Sequence, residues 1–176
     1  GYRASYDSQI PMRHKSAEIA KLVLAAATGQ GKPVLQNGSF ESGMENWSEG
    51  PYNVTSKEMA DGKSSLEVNA AEGGSLTQFV PFEAGSYFAT IKAFVPESYK
   101  KGTVTMTFMV FNDADVQIGP LLPFGKMKLT PGKWSSLVVP LTLAEVSVPA
   151  TKLRVQVEFD GFPSNGVVYL DDLTLV

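Results

Sequence analysis

The chain has 176 residues, of which 43% are apolar and 19% charged; it is long enough for one domain with its own core and too apolar for a disordered chain. It carries no cysteine, one histidine (His14) and a formal net charge of −3. This excludes disulfides, thiolate or multi-histidine metal centres and a cysteine nucleophile, and argues against nucleic acid as a partner.

In chain order, a basic leader comes first. Residues 1–35 hold five basic and two acidic groups, and the remainder ten basic and sixteen acidic. The opening Gly1-Tyr2-Arg3 has no apolar signal segment and reads as a processed or trimmed end. Ile19, Leu22, Val23, Ala26 and Ala27 fall on one helical face, with Ser16 as N-cap, Glu18 in the first turn and Gly29 as C-cap. A helix over about 17–28 is predicted, followed by a Gly/Pro linker to Pro33. The longest apolar run, Leu22 to Ala27, is too short to span a bilayer.

From Val34 onward strand-like alternation takes over, with turn residues every ten or so positions. Strands are predicted at Tyr52–Glu58, Ser64–Asn69, Leu76–Phe82, Ser86–Val95, Thr103–Phe111, Lys126–Thr130, Trp134–Leu141, Lys152–Phe159 and Val167–Val176. About nine short antiparallel strands mean a sandwich or a barrel. In the clearest of them Leu153, Val155, Val157 and Phe159 point one way and Arg154, Gln156 and Glu158 the other. Thr103–Phe111 likewise separates Val104, Met106, Phe108 and Val110 from Thr105, Thr107, Met109 and Phe111.

Several phrases recur together: Asn37-Gly-Ser-Phe-Glu41-Ser-Gly43 followed by Trp47, Gly62-Lys-Ser-Ser-Leu66, Leu76-Thr-Gln78, Gly85-Ser-Tyr87, Pro131-Gly-Lys-Trp134 and Tyr169-Leu-Asp-Asp-Leu173. In order and spacing they resemble the carbohydrate-binding modules of families four, nine and twenty-two, and more broadly the galactose-binding-like jelly rolls. The resemblance covers residues 34–176. It implies an all-β sandwich jelly roll, here with a short N-terminal helix, acting as a non-catalytic binder of polysaccharide or oligosaccharide. It implies a bacterial setting that is secreted, periplasmic or cell-surface, with a glycan-degrading catalytic domain as a further partner. It also implies a structural calcium ion, with carboxylates from Glu41 and Asp171 and oxygens from Ser39, Gly62 and Lys63. Many relatives have Asp where this chain has Ser39.

Sugar-binding surfaces combine aromatic faces with hydrogen-bonding side chains. Trp47 and Trp134 stand in framework phrases and are expected in the core. If the strands 103–111 and 152–159 are neighbours, Met109 and Phe111 form a platform beside Arg154, Gln156 and Glu158. A second face, Phe88, Thr90, Lys92 and Phe94, is expected to be covered by the leader helix. Tyr52, Tyr99, Phe124 and Phe162 are expected to pack under their own loops. Carboxylate pairs such as Glu158 with Asp160 are close in sequence, whereas glycoside hydrolysis needs two carboxyls across a cleft. A binding module is therefore the first expectation, ahead of a structural or protein-interaction sandwich without sugar binding and of a small lyase or hydrolase.

Overall fold

The computed structural model describes residues 34–119, 121–145 and 149–176. The basic leader, with its predicted helix over about 17–28 and linker, lies outside the described residues. Among these the chain forms ten strands: β1 (Tyr52–Thr55), β2 (Ser65–Asn69), β3 (Ser75–Pro81), β4 (Gly85–Phe94), β5 (Thr103–Phe111), β6 (Gln117–Ile118), β7 (Gly125–Lys126), β8 (Trp134–Leu143), β9 (Lys152–Asp160) and β10 (Val167–Leu175). One turn of 3-10 helix (Ala70–Glu72) joins β2 to β3.

The strands make two antiparallel sheets. One has the order β1-β2-β10-β4-β8; the other has β3-β9-β5-β6, with β7 also paired to β5. Period-two patterning explains why they face each other. β9 buries Leu153, Val155, Val157 and Phe159, and β5 buries Val104, Met106, Phe108 and Val110. The first sheet answers with Leu66, Val68, Ala89, Ile91, Ala93, Val139, Leu141, Val168 and Leu170, and all these side chains belong to one core. Each buried Val, Leu or Phe contributes about 1.5–3 kcal/mol of transfer free energy, so the core fixes which face of each strand looks outward.

β10 interrupts its own alternation. Val168 and Leu170 point inward, and so do Leu173 and Leu175. The change of parity falls at a bulge between Asp171 and Thr174, where Asp172 takes φ +51°.

Two expected strands are shorter than predicted, and one was not foreseen. β1 ends at Thr55 rather than Glu58, and the strand expected at Lys126–Thr130 is the two-residue β7. β6 pairs only Val110 with Ile118 and Phe111 with Gln117. Such short strands exist because β5 offers an edge to pair with, which residue preference in the segment itself does not reveal.

The Asn37–Trp47 phrase is a self-bonded loop. The Asn37 side-chain amide donates to the carbonyls of Gly43 (2.9 Å) and Glu45 (3.0 Å), and its oxygen accepts from Ser42 N–H (3.0 Å). The Trp47 indole N–H donates to Asn37 carbonyl at 2.8 Å, and its ring is buried against Phe40 at 5.7 Å. Gly38 is required by close approach: a Cβ there would sit 1.8 Å from Leu173 carbonyl oxygen. Leu173 N–H donates to the carbonyl of Gly38 at 3.0 Å, which ties the loop to β10.

Trp47 is thus a core residue, as expected. Trp134 is not. It opens β8 on the same parity as Ser136, Val138 and Pro140, whereas Val139, Leu141 and Leu143 are the buried set. Its ring lies half-buried on the outside of the first sheet, 5.7 Å from Phe94, which in turn meets Tyr169 at 6.0 Å.

Candidate functional site

The outer face of the second sheet is set by the register of its three long strands. β9 is central, with β3 on one side and β5 on the other. Four cross-strand rows result: Ser75–Glu158–Thr105, Thr77–Gln156–Thr107, Phe79–Arg154–Met109 and Pro81–Lys152–Phe111. The condition set by the sequence, that 103–111 and 152–159 be neighbours, is met. Met109, Phe111, Arg154, Gln156 and Glu158 all lie on this one face.

The face has two chemically distinct ends. At one end Phe79 and Phe111 meet edge to face, 5.7 Å between centroids. The Arg154 guanidinium carbon stands 4.9 Å from the Phe111 centroid and 6.0 Å from that of Phe79, within cation–π range. Its Nη2 donates to Met109 Sδ at 2.8 Å. Lys152 pairs with Asp115 and lies 5.7 Å from the Phe79 centroid. At the other end stand Ser75, Thr77, Thr105, Thr107, Gln156 and Glu158. Gln156 is buried, and its amide donates to Glu158 Oε1 at 2.5 Å. Thr107 Oγ1 and Arg154 Nε are buried without a hydrogen-bond partner among the described residues, a state that native structures seldom leave unexplained.

The rings of this face differ in exposure. Arg154 covers Phe111 and holds Met109, so the open ring is Phe79, which is 49% exposed. Phe79 was not among the expected site residues. Its outward parity was readable from buried Leu76, Gln78 and Val80 on either side, but its place beside Arg154 depends on the β3–β9 pairing.

The loop aromatics divide. Tyr52 packs on Phe159 at 6.5 Å, and Tyr99 on Phe162 at 6.2 Å, with the Tyr99 hydroxyl donating to Gly102 carbonyl at 2.7 Å. Phe124 is instead 65% exposed, beside Leu121 at 93%. Its neighbour β7 pairs for only two residues, leaving little structure for the ring to pack beneath. Phe88, Thr90, Lys92 and Phe94 share the outer face of the first sheet; the leader expected to cover them lies outside the described residues.

At the end of the molecule where calcium was expected, Glu41 and Asp171 both grip the 60–63 turn. Glu41 Oε1 accepts from Lys63 N–H at 2.7 Å, and Gly62, at φ +66°, leaves room for that carboxylate: a Cβ would stand 2.8 Å from Oε1. Asp171 is fully buried. Its Oδ2 accepts from Ala60 N–H (3.0 Å) and Asp61 N–H (3.1 Å), and its Oδ1 from Asp172 N–H (2.9 Å). Burial pushes its carboxyl up and these donors pull it back. Ser39 sits half-buried in the adjoining turn.

Calcium takes six to eight oxygen ligands. Here N–H groups already point at three of the Asp171 lone-pair directions, and one at Glu41 Oε1. Beside this donor set, Lys92 Nζ lies 3.1 Å from both Asp61 and Asp172 carboxylates. Burial, and then the hydrogen bond with Asp61, push the Asp172 carboxyl up to about 6.

No family model matches the sequence, and neither does any curated protein. Solved structures do match. A family 16 carbohydrate-binding module superposes with a TM-score of 0.61 at 16% identity, over 81% of this chain and 99% of its own. A family 61 module, solved in complex with β-1,4-galactotriose, gives 0.60 at 17% identity, over 83% and 99%. A family 22 xylan-binding domain from Paenibacillus barcinonensis gives 0.57 at 15% identity, over 82% and 94%. The chain therefore has the β-sandwich fold of these carbohydrate-binding modules.

Proposed function

We propose that this chain is a non-catalytic glycan-binding module that holds sugar residues along the outer face of the β3-β9-β5 sheet. One observation carries the proposal: a single sheet face joins an aromatic end, Phe79 and Phe111, to a hydrogen-bonding end, Gln156 and Glu158 with threonines of both neighbouring strands. Sugar rings offer the matching pair of surfaces, C–H faces for the rings and hydroxyls for the polar end. Modules of this fold bind galactotriose and xylan, which supports a polysaccharide ligand. Glu158 and Asp160 stand side by side on one strand, which suits binding better than cleavage between two opposed carboxyls.

The setting we propose is a bacterial one, secreted or at the cell surface where polysaccharide is met, alongside a glycan-degrading catalytic domain. No helix among the described residues is long and apolar enough to cross a membrane. We further propose that the Asp171 clamp on the 60–63 turn works without calcium, because backbone N–H groups supply the positive ends of its interactions.

Affinity electrophoresis against neutral and acidic plant, algal and host polysaccharides tests the function. Retention by one class, lost in Phe79→Ala, is the expected result. Migration unaffected by every polysaccharide would overturn it in favour of a structural or protein-interaction domain.

A further inference from the structure

Arg154 stands in the middle of the proposed binding face, and among the described residues no anion meets it. On its row are Phe79 and Met109, and along its strand Lys152 and Gln156. None is acidic. Lys152 has its own partner in Asp115, and Glu158, one row beyond Gln156, is engaged by that amide. Among the described residues Arg154 joins no ion pair. Its one hydrogen bond among those residues is to a thioether sulfur, a weak acceptor, and its Nε has none there.

A half-buried guanidinium normally finds a carboxylate, because stacking on rings and a thioether replace its lost hydration poorly. The face also lies on a body that is acidic in balance, so an isolated cation here is not part of a general basic surface. Phe79 offers an open ring 6.0 Å from the guanidinium carbon. A sugar ring stacked on that phenyl can place a carboxylate on its C5 beside the guanidinium, which pairs planar carboxylates through two N–H groups. Met109 is an unbranched, adaptable side chain and can yield the contact it now fills.

Resting on the glycan-binding reading above, we infer that the ligand is a uronic-acid-containing glycan whose carboxylate is taken by Arg154, while Gln156 and Glu158 meet the hydroxyls of a neighbouring sugar. The probes are glucuronoxylan and polygalacturonate, each beside its carboxyl-reduced form, with unsubstituted xylan and β-1,4-galactan as neutral arms. Calorimetric titration of the intact chain is expected to show one of the acidic polymers binding about tenfold more tightly than its reduced form. Arg154→Gln should abolish that difference, Arg154→Lys should retain part of it, and Phe79→Ala should abolish binding of both forms.

Equal affinity for native and reduced polymers, or binding of the neutral arms alone, would overturn this inference and leave the glycan-binding reading standing. Silence on every polymer would overturn both. The native-against-reduced comparison uses the unmodified protein, so it decides the matter even if Arg154→Gln fails to fold.

Discussion

Phe79 and Phe111 touch each other yet do different work. Phe111 is capped by Arg154, whereas Phe79 presents nearly half its surface to solvent. Phe79→Ala should therefore abolish glycan retention with a melting temperature within a few degrees of the parent, because little buried area is lost. A large fall in melting temperature would mean the ring is structural. Asp171 is the opposite case, fully buried and accepting from three backbone N–H groups. Asp171→Asn puts an amide donor against backbone donors and should cost about 3 kcal/mol in denaturant unfolding; a change below about 1 kcal/mol would contradict this account. Asp172 makes a pH prediction. Its carboxyl is raised from 3.8 to about 6, so between those values the native chain binds more protons than the unfolded one. That contribution to stability is present at low pH and is lost as pH rises through the window. Asp172→Asn should gain on the parent in melting temperature from about pH 4 to about pH 7. A constant difference between the two curves would contradict it.

The β10 bulge and the Asn37–Trp47 loop hold each other. Gly38→Ala would drive a Cβ to 1.8 Å from Leu173 carbonyl oxygen, on a strand paired to β2 and β4. Backbone on both sides leaves nowhere for it to go, and a loss of about 3 kcal/mol is expected by thermal or denaturant melting. A chelator should leave the melting temperature unchanged, since the 60–63 turn is held by N–H groups on carboxylates; a clear fall reversed by added calcium would show an ion binding the native state. At this scale the sequence was legible wherever period-two patterning was long. β5, β9, β4 and β10 stand close to their predicted bounds. β6 and β7 were not legible as two-residue strands, because their existence is decided by the edge of β5. Trp134 was legible and misplaced: counting back from Val139 and Leu141 puts it outward, and membership of a recurring phrase outweighed that count.

For the molecule as a whole, two sheets share one core and turn two different faces outward. The face of the β1-β2-β10-β4-β8 sheet carries Phe94, Trp134 and Tyr169, and that of the β3-β9-β5 sheet carries Phe79, Arg154, Gln156 and Glu158. The residues of the second face could be listed from alternation alone. That Arg154 would sit against two phenyl rings could not, because β3 and β5 reach β9 from segments far apart in the chain. The central claim is that this second face, and not the aromatic cluster on the first, takes the glycan. Backbone and side-chain NMR titration with xylo-, galacto- and uronate-containing oligosaccharides tests it most directly. The account predicts shifts confined to β3, β5 and β9 around Phe79, Arg154 and Gln156, with the Trp134 indole N–H unmoved. Shifts clustered on Phe94, Trp134 and Tyr169, or none with any ligand, would contradict it.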